Sequence, residues 1–305
     1  MEIDYTYIIE RIIETIKENT PKNNLYSLAI VGSFANSQHK LEMINDIDIL
    51  YIYDDAIFDG KHARIDRGIY FSILQLNKDI RNEFANDMEI ISSYDCGPFK
   101  PIIDGKRKIE IHNLIYTVNR WLREEPTFLY DRARLYRLLY GKPPSTIYDV
   151  KSFSIYSVIR DLYGIDHCLQ MIRSKRIKYC VWEQDPNNIN IMKIGVREKD
   201  IGESTYENMC RMLELIFYAV IRSTVNSIRI FTQEAHYYRE DCKIFMSTFS
   251  NFKEKKFLKE ILTLKDRYRN GKLRFDNKVV SRLSDNCITY LEELKMLLHM
   301  EINKR

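Results

Sequence analysis

The stretch Asn45-Asp46-Ile47-Asp48-Ile49-Leu50 decides how this chain is read. Two acids alternate with two isoleucines, and the run then turns apolar through Tyr53, the pattern of a strand whose side chains take opposite faces in turn. Asp46 and Asp48 therefore share one face, while Ile47 and Ile49 point into a core on the other. Carboxylates so close repel each other, and burying them without compensation is costly. An exposed edge strand would relieve the conflict. So would a divalent cation, and Mg²⁺ takes oxygen ligands from one or two carboxylates together with substrate phosphates. The stretch alone leaves both readings open.

Its surroundings sharpen the choice. Leu25 to Val31 is a compact apolar run that ends at Gly32 and reads as a buried strand. In Val31-Gly32-Ser33 the glycine would let the backbone approach a phosphate, and the serine hydroxyl and nearby N–H groups would donate to phosphate oxygens. A plain tight turn is the alternative. Downstream, Lys108-Ile109-Glu110-Ile111-His112 again sets an acid among aliphatics at strand period. Alone, that is the pattern of a surface strand glutamate. Beside the aspartate pair, Glu110 becomes a candidate third carboxylate, because phosphoryl-transfer sites hold two metals about 3.5–4 Å apart with several carboxylates. His112 shares the face of Glu110 and reads as an ordinary strand histidine.

Further out, Ile8, Ile9, Ile12, Ile13 and Ile16 form a helical stripe over Tyr5 to Asn19. A short helix is expected over Asn36 to Met43, a strand over Arg67 to Leu76, and a helix over Lys78 to Met88. After Pro126 helical periodicity dominates, over Arg132 to Tyr140, Phe153 to Arg173, Tyr206 to Phe231, Lys253 to Arg269 and Val279 to Lys304. Strand signals remain around Tyr179 to Trp182 and Ile189 to Ile194. Gly141-Lys142-Pro143-Pro144-Ser145 reads as a hinge. The expectation is an α/β domain over residues 1–126, followed by a helical domain over 127–305.

Composition narrows the class. The chain has 305 residues, 45% hydrophobic and 30% charged, which suits a globular protein rather than a disordered or fibrous one. A net charge of +4 permits an anionic ligand without indicating a nucleic-acid partner. The six cysteines show no CxxC spacing, and the histidines, including His39, His62, His167, His236 and His299, show no metal-ligand spacing. No apolar run approaches the length of about 20 residues that spans a bilayer, and the acidic start does not resemble a signal peptide. A cytoplasmic location and no membrane partner are expected.

Together, Val31-Gly32-Ser33, Asp46-Ile47-Asp48 and the later Glu110 resemble the motif of the DNA polymerase β superfamily of nucleotidyltransferases. That motif is an apolar residue, Gly and Gly or Ser, then Asp-x-Asp between aliphatics, then a carboxylate on a later strand. The likeness covers the first 115 or so residues, and Asn45 stands where many relatives have Ser or Thr. Arg134 to Pro144, Arg-Leu-Tyr-Arg-Leu-Leu-Tyr-Gly-Lys-Pro-Pro, resembles the segment that joins catalytic and helical domains in antibiotic nucleotidyltransferases. The resemblance implies an α+β fold: a nucleotidyltransferase mixed sheet with flanking helices, then an all-α helical bundle.

It also implies a reaction, in-line attack of an acceptor hydroxyl on the α-phosphate of an NTP with release of pyrophosphate. Asp46 and Asp48 would hold Mg²⁺. Glu110 would complete a second metal site or act as general base. Gly32, Ser33 and Lys142 would contact the nucleotide, with Lys151, Arg160 and Lys193 as further basic candidates. Asp161 is a candidate second base, and Tyr136, Tyr140 and Tyr156 are candidates to stack on the nucleobase, although aromatics at helical spacing are more often core. A small hydroxylated acceptor, such as an antibiotic or sugar, is placed first. A tRNA or protein acceptor, as in toxin-type relatives, is the alternative, with Lys253-Glu254-Lys255-Lys256 and Lys265 to Lys272 (including Arg267 and Arg269) as modest basic clusters. A catalytically inactive nucleotide-binding module is placed last, because both aspartates are present.

Overall fold

The computed structural model describes residues 5–35, 46–54, 64–94, 108–121, 135–147, 154–269 and 271–303. The first helix, α1 (Tyr5–Asn19), leads into β1 (Leu25–Val31) and a 3₁₀ turn over Gly32–Ala35. Next come β2 (Asp46–Tyr53), β3 (Arg64–Asp66), α2 (Arg67–Glu83), β4 (Glu89–Ser93), β5 (Lys108–Thr117) and the short α3 (Val118–Trp121). After these follow β6 (Tyr136–Gly141), α4 (Ile155–Ser174), and the hairpin of β7 (Arg176–Asp185) and β8 (Asn188–Asp200). The chain closes with α5 (Tyr206–Thr232), α6 (Tyr238–Thr248), α7 (Lys255–Arg269) and α8 (Asn277–Ile302). The fold is α+β, a mixed sheet with flanking helices followed by a helical region.

Among the described residues the main sheet has five strands, in the order β4-β5-β2-β1-β6. Strands β4, β5 and β2 run parallel, while β1 lies antiparallel to both β2 and β6. Both faces are covered, which explains why β2 becomes apolar on both faces after its acids. Ile47, Ile49, Tyr51 and Tyr53 pack with the α1 isoleucines and with Ile73 and Ile80 of α2. Leu50 and Ile52, on the other face, join Leu114 and Tyr116 of β5 and the core of the helical region. Asp46 and Asp48 occupy that second face at its open end.

Two segments depart from the sequence reading. Arg67 to Leu76 is the first part of α2, not a strand: Tyr70, Ile73, Leu76, Asn77 and Ile80 form a buried helical stripe, and Asp66 caps the helix by accepting from the Ile69 N–H at 3.2 Å. The Ile69, Phe71, Ile73 alternation is incidental, since Phe71 is 47% exposed. Tyr136 to Tyr140, the end of the helix expected over Arg132 to Tyr140, forms with Gly141 the edge strand β6, paired with β1 and sparsely buried. The chain beyond Pro126 thus supplies a strand of the first sheet. The two remaining strand signals extend into the hairpin β7–β8, which joins β3 in a sheet of order β3-β8-β7. The helices expected over Phe153 to Arg173, Tyr206 to Phe231, Lys253 to Arg269 and Val279 to Lys304 correspond to α4, α5, α7 and α8. The expected helix over Asn36 to Met43 lies outside the described residues.

Candidate active site

The site starts from strand register. Asp48 pairs with Val31 on one side and with His112 on the other, and Asp46 pairs with Glu110. Because β2 and β5 are parallel and in register, Asp46, Asp48, Glu110 and His112 rise from one face of adjacent strands. Immediately past Val31 the chain turns at Gly32, whose φ is +73°. A Cβ built on Gly32 would collide with Asp48 Oδ2. Glycine is therefore needed there twice, for the left-handed backbone and for the space the carboxylate fills. Ser33 follows in the same 3₁₀ turn.

Each carboxylate has a protein partner. His112 Nδ1 lies 2.7 Å from Asp48 Oδ1, with the two side chains 10% and 19% exposed. Arg269 donates from both terminal nitrogens to Asp46, at 3.3 Å to Oδ1 and 3.4 Å to Oδ2. Burial of Arg269 opposes its charge, but Asp46 and Glu214 outweigh that and hold the guanidinium above its ordinary range. Glu110 is buried and accepts a hydrogen bond from the Ser93 hydroxyl on β4. Among the described residues, no group of three or more His, Cys, Asp or Glu side chains is arranged to hold a metal ion.

Above the acids lies a cleft of about 220 Å³, with Gly32, Asp46 and Asp48 on one wall. The opposite wall comes from the helical region: Tyr218 and Arg222 of α5, His236 to Tyr238 before and at the start of α6, and Lys265 and Arg269 of α7. That wall is stiffened by a buried ion pair. Arg229 Nε donates to Asp241 Oδ2 at 2.8 Å, the two side chains being 2% and 1% exposed. A terminal nitrogen of Arg229 also donates to the His236 carbonyl at 2.9 Å, and Asp241 Oδ1 accepts from the His236 backbone N–H at 3.2 Å. Burial pushes the Asp241 carboxyl up against the opposing pull of Arg229. The result is a cleft with acids on the sheet side and cations and aromatics on the helical side.

The structure thus brings Gly32, Asp46 and Asp48 to one cleft and places Glu110 one strand away. Lys142 lies elsewhere. Its backbone N–H donates to the Tyr26 carbonyl and its amine sits over the Tyr26 ring, beside Gly141, which pairs with Ser27. Tyr136 pairs with Val31, so Lys142 is at the far end of β1, roughly 13 Å along the strand. Among the described residues that line the cleft, none is Lys142, Arg160, Asp161, Lys193, Tyr136, Tyr140 or Tyr156. Lys151 lies outside the described residues. Sequence reasoning assigned no role here to Arg222, His236 or Tyr237, and placed Arg269 in a surface basic cluster. No local signal marks Arg269, whose partner Asp46 is 223 positions away.

The mixed sheet and the helical region that follows it make an α+β fold consistent with that of nucleotidyltransferases. The chain is similar in structure to spectinomycin adenyltransferase AAD(9) from Enterococcus faecialis, solved with ATP and spectinomycin. The TM-score is 0.50 at 13% sequence identity, covering 93% of this chain and 99% of that one. At that identity the likeness speaks for the fold. No protein-family model matches the chain, and no curated protein matches it by sequence.

Proposed function

We propose that this protein is a nucleotidyltransferase that moves an NMP group from an NTP to a hydroxyl of a small molecule, with Mg²⁺ and release of pyrophosphate. One observation carries the reading: Asp46 and Asp48 stand side by side at the wall of a cleft, against the bare Cα of Gly32 and opposite a wall of cations. The donor set fits the ion, because Mg²⁺ binds through one or two carboxylates and completes its shell with substrate phosphates and water. Bound there, it would neutralise charge on the phosphoryl oxygens as the bond changes hands. The ATP and spectinomycin of the structural neighbour support a nucleotide donor and a small acceptor.

The chain's own residues have the following roles. Gly32 leaves room for the Asp48 carboxylate, and the turn containing Ser33 offers donors to the terminal phosphates. His112 orients Asp48 from the neighbouring strand. Arg222 and Lys265 take the phosphate-binding role first given to Lys142, because they line the cleft. Glu110, in register with Asp46, is the third carboxylate. It would serve a second metal, or take the proton of the acceptor hydroxyl, after exchanging its bond to Ser93. Among the described residues no helix is long and apolar enough to cross a membrane.

The test is incubation with each NTP labelled at the α-phosphate, together with a panel of hydroxylated antibiotics and sugars that includes spectinomycin. The expected result is a labelled small-molecule product with matching pyrophosphate, absent in Asp46→Ala/Asp48→Ala. Label transferred to RNA or protein instead would replace the small acceptor with a macromolecular one. No transfer to any acceptor, with pyrophosphate release also absent, would contradict the enzyme reading.

A further inference from the structure

We propose that Arg269 is the resident counter-ion of the site: it occupies Asp46 in the metal's place and yields that carboxylate when a metal–nucleotide complex offers its guanidinium a phosphate in exchange. The inference rests on the reading of Asp46 and Asp48 as metal-binding carboxylates. Its basis is the geometry of a single contact. Two terminal nitrogens of Arg269 face two oxygens of Asp46, the shape of a bidentate pair, yet at 3.3 and 3.4 Å. Tight charge-assisted pairs close to about 2.7–2.9 Å. The contact neutralises Asp46 beside Asp48 without the full strength of a structural ion pair, so it is exchangeable.

The backbone behind Arg269 is anchored. Arg269 is the last residue of α7, and Tyr268 before it is buried, with its ring against Phe217 and Phe275. The guanidinium can therefore swing while the helix stays in place. Its alternatives decide the energetics. A metal ion arriving alone must displace Arg269 from Asp46 and brings no anion in exchange, so the mostly buried cation loses its carboxylate contact and keeps only its remaining interactions, the attraction of Glu214 among them. A metal ion arriving with a triphosphate supplies that anion in the cleft Arg269 already lines. Metal and nucleotide binding are then coupled, and the coupling is reciprocal.

The experiment uses Mn²⁺ in place of Mg²⁺ on the whole protein. Mn²⁺ affinity without nucleotide is read from loss of the free-ion paramagnetic resonance signal. The affinity of α,β-methylene ATP, whose bridge resists transfer, is measured by calorimetry with and without Mn²⁺. Wild type should bind Mn²⁺ alone weakly and bind the analogue far better in its presence. Arg269→Gln should bind Mn²⁺ alone about tenfold tighter than wild type and lose most of the metal dependence of analogue binding. Arg269→Lys, a point charge that cannot span both oxygens, should tighten Mn²⁺ binding by a smaller factor and serves if the glutamine variant does not fold. Mn²⁺ affinity unchanged or weakened in the variant that folds would overturn the proposal. If wild type binds no Mn²⁺ even with the analogue, or Asp46→Asn/Asp48→Asn binds both equally well, the metal-site reading fails instead.

Discussion

Gly32 joins backbone conformation to chemistry at one atom. A φ of +73° is strained for any residue with a side chain, and a Cβ there would clash with Asp48 Oδ2. Gly32→Ala should therefore cost about 1–2 kcal/mol of stability from the left-handed backbone, and should also displace the Asp48 carboxylate. Urea unfolding and Mg²⁺-dependent nucleotide titration check the two effects separately. Unchanged values in both would contradict the placement. The acids and this glycine were legible in the sequence because alternation along β2 sets the side-chain face without reference to the rest of the fold. The partners of those acids were less legible. His112 could be placed on the right face, but its contact with Asp48 needs the β2–β5 register, which no local pattern contains.

Among the elements, β6 shows where local reading stops. Its sequence, Tyr-Arg-Leu-Leu-Tyr-Gly, is too short and too evenly mixed to separate a helical from a strand period. What makes it a strand is the free edge of β1, a long-range opportunity. The edge is also pinned by a side-chain fork: Arg137 of β6 donates to both carboxylate oxygens of Glu10 on α1, each at 2.8 Å. Arg137 accordingly lowers the Glu10 pKa, chiefly through its hydrogen bonds, which with the help of its charge outweigh the opposing effect of burial. A carboxyl lowered on folding adds stability that is complete above its ordinary value of 4.5 and disappears as pH falls through the lowered value. Both side chains are nearly half exposed, so Glu10→Gln should cost no more than about 1 kcal/mol at pH 7. The difference between wild type and variant in urea should shrink below pH 4.5. A difference that grows on acidification would reverse the assignment. Helices α1, α4, α5, α7 and α8 were legible because their apolar stripes are long. The start of α2 was not, because Ile69, Phe71 and Ile73 imitate strand alternation.

Across the whole molecule, the two halves meet at the cleft, and the helical wall depends on one buried ion pair. Arg229 and Asp241 are almost fully enclosed, and they hold the segment carrying His236 and Tyr237 against α5. Removing one member leaves the other charge buried and alone, so Arg229→Met should destabilise by about 3–5 kcal/mol, while Arg229→Met/Asp241→Leu should recover much of the loss. Thermal unfolding of the single and double variants checks this, and equal losses in both would contradict it. Such tertiary features, like the Arg269–Asp46 contact, bring together residues that no window of sequence contains. The central claim is that Asp46 and Asp48 bind a metal–nucleotide complex, and the most direct test is calorimetric titration of ATP, CTP, GTP and UTP with and without Mg²⁺, on wild type and on Asp46→Ala/Asp48→Ala. The account predicts Mg²⁺-dependent binding of at least one nucleotide by wild type, lost or greatly weakened in the double variant. Binding that is indifferent to Mg²⁺ and to both aspartates, or no nucleotide binding by wild type, would contradict it.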